Sequence, residues 1–343
     1  MLQEMLQQIS SLDSAAMETA RQHWDAIAKP LHSLGRLEDL VVQLAGITGT
    51  ANLPPRKKAV LIFCADNGVV AEGVTQTTQA VTAAVTRNFT MGIASVNALS
   101  RVCGADVFPV DIGVAEELHC DGIISRKIAA GTRNFAHEPA MTREQAERAI
   151  LTGIALVGEK VAAGYNLIIT GEMGIGNTTT SSAVFSVLQQ LPPEQVTGRG
   201  AGLSGAGLRH KVEVIAKAIA LHQPDRNDVL DVLSKVGGLD ICGMAGRCSL
   251  PCAGADRRLY FRGGGELCRA AGSSLPAVSV RLSLFQRACR KAGTGGTGAA
   301  CLSGLRHVSG RGHRRRDRCQ TVRLCTGSIW RDCRLRCRGN RSL

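Results

Sequence analysis

Aromatic side chains are scarce in this chain: Phe, Tyr and Trp make up 3% of 343 residues, with two Trp and two Tyr. That scarcity argues against base-stacking platforms, which need several rings on one surface. No apolar run reaches the roughly 18 residues of a membrane span, and Met1–Ser14 lacks the basic start and apolar stretch of a secretory leader. A soluble, cytoplasmic protein without a membrane partner is the expectation. What is abundant is apolar content, at 44%, together with 39 Gly, 13 Cys and a net charge of +13. A chain this long can bury a large core. The basic total and the cysteine count suggest a nucleic-acid binder or a metal protein until their positions are considered.

Neither is spread evenly. Residues 1–246 carry 20 Lys and Arg against 24 Asp and Glu, a net of −4, with four cysteines: Cys64, Cys103, Cys120 and Cys242. From Arg247 onward there are 21 basic and 4 acidic residues, a net of +17, with nine cysteines, and Lys291 is the one lysine among those 21. Three segments follow: an N-terminal helical segment, 1–50, forming part of a small domain; an α/β domain, 51–246; and an Arg/Cys-rich tail, 247–343.

The middle segment alternates short apolar runs with helical patterns, which predicts an α/β fold with a mostly parallel sheet covered by helices. Ala59–Phe63 leads into Asp66-Asn67-Gly68, Ala105–Val110 into Asp111-Ile-Gly113, and Asn166–Ile169 into Thr170-Gly171-Glu172. Thr142 and Gln145 form a capping box for a helix whose face is Ala146, Ile150, Ile154, Val157 and Val161, with Gly164 as its stop. In such sheets, ligands bind beyond the carboxyl ends of the strands, where all three polar sequences fall.

Gly171-Glu-Met-Gly174-Ile-Gly176-Asn177-Thr178-Thr179-Thr180 stands between a strand and a helical run, Ser181–Leu191. Its glycines can turn backbone N–H groups toward an anion, and Thr178 and Thr179 would offer hydroxyls at a helix N-terminus. A tight turn without a ligand fits the same spacing. A second glycine loop, Gly198–Gly207, precedes Arg209, His210 and Lys211, whose cations can neutralise a phosphate or stay solvated. Asp66 and Asp111 are candidate acids, bases or ribose ligands, or else helix caps. Cys64 and Cys242 read as inert core thiols.

Five segments occur in a telling order: Lys29-Pro30 with Ser33-Leu-Gly35-Arg36-Leu37-Glu38, Cys64–Val69, Val110–Gly113, Gly171–Thr179 and Lys235–Gly246. Together they resemble the nicotinate-nucleotide:dimethylbenzimidazole phosphoribosyltransferases of cobalamin lower-ligand synthesis, over about residues 20–246. One departure is His32, where that family usually has Gly. The resemblance implies a Rossmann-like sheet, a smaller helical domain, a homodimer and no cofactor or metal. It implies a reaction in which a benzimidazole nitrogen displaces nicotinate from C1′ of nicotinate mononucleotide. Carried onto this chain, Gly174, Gly176, Asn177, Thr178 and Thr179 would hold the phosphoribosyl part, with Gly202 and Lys211 nearby. Glu172 and Asp240 would line the site, and Thr77 and Asn88 are weaker candidates for the benzimidazole side. The family's general base is a Glu in a Leu-Gly-Glu-Gly-Thr/Ser-Gly-Ala motif, which this chain lacks.

The tail, from Arg247, loses all periodicity and reads as out of frame. Ser309–Arg318 can be encoded as TCT GGG CGA GGG CAC CGG CGG CGC GAT CGC. One base later this becomes Leu-Gly-Glu-Gly-Thr-Gly-Gly-Ala-Ile, so the missing Glu falls near Arg311. Arg257–Phe261 shifted in the same way gives Asp-Gly-Phe-Ile. A chain departing from the family frame just after Gly246 is therefore expected to have a tail that does not fold natively, and weak or absent turnover. A nonenzymatic nucleotide- or benzimidazole-binding remnant is the alternative. Taken at face value, the tail offers Arg314–Arg316 to nucleic acid, Cys248/Cys252 and Cys333/Cys337 to zinc, and Gly293–Gly298 to phosphate. It has almost no interleaved aromatics, its cysteine pairs lie far apart and no strand pattern precedes its glycine loop, so these functions are not expected.

Overall fold

The computed structural model describes residues 12–53, 56–245 and 259–261. Two helices of equal length open it, α1 (Ser14–Ala26) and α2 (Arg36–Thr48). Ala16, Ala20, Val42 and Ala45 form a small core of their own between them, against Met17 and Trp24. The link holding their motif together is Glu38, which takes Lys29 Nζ at 3.0 Å and the Leu34 amide at 3.0 Å. Those contacts, the Lys29 ammonium first, hold its carboxyl below the usual range.

The chain then enters β1 (Lys58–Ala65), α3 (Ala80–Thr90), α4 (Ser95–Cys103), β2 (Ala105–Gly113) and β3 (Ile124–Ser125). After these come α5 (Arg143–Ala162), β4 (Leu167–Met173), α6 (Asn177–Gln189), α7 (Pro193–Val196), α8 (Gly205–His222), α9 (Val229–Val236) and α10 (Leu239–Ala245). A three-residue strand, β5 (Leu259–Phe261), completes a parallel sheet of order β3-β2-β1-β4-β5. The α/β fold expected from the apolar runs is therefore present. β5 falls inside the segment expected to lack native structure: its backbone pairs with Leu167–Ile169 of β4, a ladder that needs extended backbone and no particular side chains.

Strands β1, β2 and β4 continue past their apolar sequences, because the ladder runs on through the polar ends that carry Asp111 and Glu172. Central β1 is apolar on both faces, as a doubly covered strand must be. Ala59, Leu61, Phe63 and Ala65 face the main core, and Val60, Ile62 and Cys64 face a second cluster with Ala83, Phe89 and Val114. The capping box is formed: Gln145 N donates to Thr142 Oγ1 (3.1 Å) and Thr142 N to Gln145 Oε1 (2.9 Å). Ala146, Ile150, Ile154 and Val157 are buried below it. At Gly243, α10 presses onto the sheet so closely that a Cβ would stand 2.6 Å from Phe63 Cδ1 and 2.8 Å from Ile112 Cδ1. Among the described residues no helix is long and apolar enough to cross a membrane.

Candidate active site

The site is built at the carboxyl ends of β1, β2 and β4. The turn from β4 into α6 depends on two glycines. A Cβ at Gly174 would lie 2.1 Å from the Ala65 carbonyl oxygen, and Gly176 sits at φ +94° with its missing Cβ 2.9 Å from Val70 Cγ2. The turn can thus lie directly on the end of β1. Helix α6 begins at Asn177 rather than Ser181, so Thr178 occupies its first turn, where the backbone presents positive partial charge.

Thr178 borders a shallow cleft that is also walled by Gln76, Arg199, Gly200, Gly202 and Lys211. Lys211 Nζ donates to Thr178 Oγ1 at 2.7 Å. The lysine is 1% exposed, and burial lowers its ammonium to a pKa of about 8. Across the mouth, Gln76 Nε2 donates to the Gly202 carbonyl at 2.8 Å. Both glycine loops of the sequence therefore meet in one cleft, with one of the three expected cations in it. His210 instead contacts the Glu72 carbonyl at 2.7 Å, and Arg209 is exposed.

Glu172, half-buried at the end of β4, accepts a hydrogen bond from Asn177 Nδ2. Burial raises its carboxyl above the ordinary range and the Asn177 bond partly opposes that. Asp240 does not line an open site as expected: it is 0% exposed and lies behind the Gly174 turn. Thr179 is likewise 0% exposed, with its Oγ1 turned inward, so of the two hydroxyls expected at the helix start only Thr178 faces the cleft. Thr77 is exposed next to Gln76, and Asn88 sits in the last turn of α3; neither borders the cleft.

Asp66 and Asp111 cap loop amides rather than a helix. Asp66 Oδ2 accepts from Ala115 N (2.8 Å) and Asp111 Oδ1 from Val114 N (2.9 Å), fixing the loop after β2. Burial raises both carboxyls. Cys64 is buried with its thiol pushed up to about 12, chiefly by burial, and the Cys242 thiol is raised for the same reason, as inert core thiols should be. Sequence reasoning missed Asn67, Thr82 and Gln76 as site parts. Thr82 Oγ1 receives the Ile175 amide at 3.1 Å, and its signal was only a polar residue on the buried face of α3. No metal-binding cluster occurs among the described residues. Arg311, the other tail motifs and the nine tail cysteines lie outside them.

A glycine turn, a helix N-terminus and a buried lysine thus meet around one cleft on a parallel, helix-covered α/β sheet. A family model described as a phosphoribosyltransferase, DBI_PRT, matches residues 9–259. A nicotinate-nucleotide–dimethylbenzimidazole phosphoribosyltransferase of Acetivibrio thermocellus is 51% identical over 246 residues, 72% of this chain and 70% of the relative. One from Alkaliphilus metalliredigens is 47% identical over 280 residues, 81% of this chain and 79% of its own. The crystal structure of CobT from Thermus thermophilus superposes with a TM-score of 0.68 at 36% identity, covering 75% of this chain and 78% of that one. The chain belongs to this phosphoribosyltransferase family.

Proposed function

We propose that the cleft binds nicotinate mononucleotide and that the chain's reaction is transfer of its phosphoribosyl group to 5,6-dimethylbenzimidazole, giving α-ribazole 5′-phosphate and nicotinate. The observation that carries this is the Lys211–Thr178 contact at the N-terminus of α6, where a phosphate meets a cation, a hydroxyl and the helix dipole. Gly174, Gly176 and Asn177 shape that cradle, and Gly202 forms its rim. In the reaction an azole nitrogen forms a bond to C1′ as the bond to nicotinate breaks, its electron pair leaving with the pyridine ring. Nicotinate attached through a cationic nitrogen is a good leaving group, so positioning and removal of the azole proton supply the catalysis.

The general-base glutamate, whose position by the resemblance falls near Arg311 in the sequence, is missing, so the reading proposed is binding with weak or absent turnover. A homodimer working in the cytoplasm completes it. Calorimetric titration with nicotinate mononucleotide and with dimethylbenzimidazole, beside chromatography for α-ribazole phosphate, tests it. Binding of the nucleotide with little product is expected; absence of nucleotide binding would overturn the assignment, and full turnover would overturn the role given to the missing glutamate.

A further inference from the structure

Beneath the cradle lies a buried polar contact that anion binding does not use. Asn67, in the loop after β1, and Asp240, in α10, are each 0% exposed. Asn67 Nδ2 donates to Asp240 Oδ2 at 3.5 Å and to the Ile175 carbonyl at 3.4 Å, and so reaches the turn from below. The Gly174 turn rests on the same two side chains: its missing Cβ would stand 2.8 Å from Asp240 Oδ2 and 2.9 Å from Asn67 Nδ2.

The other oxygens of the two residues meet on Gly238. Asp240 Oδ1 and Asn67 Oδ1 lie 2.3 and 2.6 Å from the place of its absent Cβ. Asn67 Oδ1 is buried and has no donor among the described residues. Asp240 Oδ1 accepts the Ile241 amide at 2.9 Å, and the Thr180 hydroxyl near the same point is committed to the Asn177 carbonyl at 2.9 Å, so Asn67 Oδ1 faces a second acceptor, which is unfavourable in a dry interior unless the carboxyl carries a hydrogen. Flipping the amide would only turn its oxygen toward two other acceptors, Asp240 Oδ2 and the Ile175 carbonyl.

Among the described residues, the titratable groups facing Asp240 supply no cation. They are Glu172 from β4, the Cys64 thiol from β1 and the Cys242 thiol on its own helix, and both thiols are held neutral by burial. Burial first, then the Glu172 carboxylate, push the Asp240 carboxyl up to about 7, against hydrogen bonds from Ile241 and Asn67.

We propose that Asp240 is a positioning residue that works with its carboxyl protonated, donating its O–H to Asn67 Oδ1 so that the pair props the Gly174–Gly176 turn from beneath. Loss of that proton to solvent leaves a carboxylate facing the amide oxygen and loosens the support of Glu172, Asn177 and Thr178. The ligand consequence rests on the cradle reading above, whereas the proton does not.

The test compares the wild-type chain with Asp240→Asn and Asp240→Ala. The folded wild type holds a proton that the unfolded chain has released, so its melting temperature falls as pH rises from 5 to about 7 and then levels. Asp240→Asn removes the Asp240 share of that slope and leaves the share due to Glu172. It also loses one protonated-carboxyl band from the infrared spectrum at pH 6, a readout available even if Asp240→Ala does not fold. With inorganic phosphate as probe at pH 6, Asp240→Asn stays within about threefold of wild type and Asp240→Ala weakens binding about tenfold. An unchanged slope together with an unchanged infrared band in Asp240→Asn overturns the proton, and wild-type phosphate affinity in a folded Asp240→Ala overturns the positioning role. If wild type binds no phosphate, the cradle reading fails while the slopes and the infrared band still decide the proton.

Discussion

Lys211 Nζ and Thr178 Oγ1 are joined by a 2.7 Å hydrogen bond that ties α8 to the N-terminus of α6 at the wall of the cleft. Because burial holds the ammonium at about 8, its charge there is poised rather than fixed. With the folded value below the unfolded one, the buried charge costs stability below about pH 8, and that cost is relieved as pH rises toward the ordinary lysine range. A phosphate placed beside Nζ reverses the bias. Binding at pH 8.5 is expected to take up a proton from the buffer, read as a difference in calorimetric heat between buffers of unlike ionisation enthalpy. Lys211→Met should abolish the uptake and weaken binding by about 1.5–3 kcal/mol, the range for hydrogen bonds to charged groups; equal heats in both buffers would refute the assignment.

The turn at Gly176 is expected to tolerate no side chain. At φ +94° and 2.9 Å from Val70 Cγ2, Gly176→Ala should cost about 1–3 kcal/mol, measured by denaturant unfolding. Gly174→Ala should cost more, since the atom in the way is the Ala65 carbonyl oxygen, which cannot rotate aside.

His32 has a left-handed backbone, φ +56°, and its side chain is exposed, 3.8 Å from Glu38. For a residue with a Cβ this conformation costs about 1–2 kcal/mol, part of which glycine returns through its greater freedom when unfolded. His32→Gly should therefore raise stability by about 0.5–1 kcal/mol, visible as an upward shift of the melting curve; a lower melting temperature would show that the Glu38 contact outweighs the strain.

At the other end of the domain, Thr142→Ala removes the acceptor for the Gln145 amide. A loss of about 1 kcal/mol is expected. Gln145→Ala, which leaves the Thr142 side-chain cap in place, should lose less in the same denaturant titration.

The gene sequence across the codon for Gly246 is expected to show a one-base insertion or deletion relative to genes of the family. A chain translated in the restored frame should form α-ribazole phosphate at a rate well above that of the present one. Identical rates would remove the frame explanation for the Arg-rich tail.

Strand positions and the main helix were legible because Ala59–Phe63 and the face Ala146–Val157 carry local signals, a run and a period, that tertiary contacts reinforce. The cradle was legible as far as glycine spacing goes. What sequence could not show is which polar groups face inward. Thr178 and Thr179 are neighbours in one helix, yet one borders the cleft and the other is 0% exposed, a difference set by about 100° of helix rotation per residue. Asp66 and Asp111 stand at strand ends like catalytic acids, and only the loop returning after β2 reveals them as caps. Asn67 was hidden for the opposite reason: its partner, Asp240, lies 173 residues away, beyond any local pattern.

Helix α10, with Gly243 against Phe63 and Ile112, sets a schedule for synthesis. The apolar face that it covers begins to emerge with β1, but the covering helix is among the last described elements to be translated. At ~5–20 residues per second, the interval from Ala65 to Ala245 is about 10–35 s. Throughout that interval Phe63, joined by Ile112 once it is made, lacks its final cover, so the vulnerable species in the cell is the partly made chain, and holdase chaperones have their longest opportunity there.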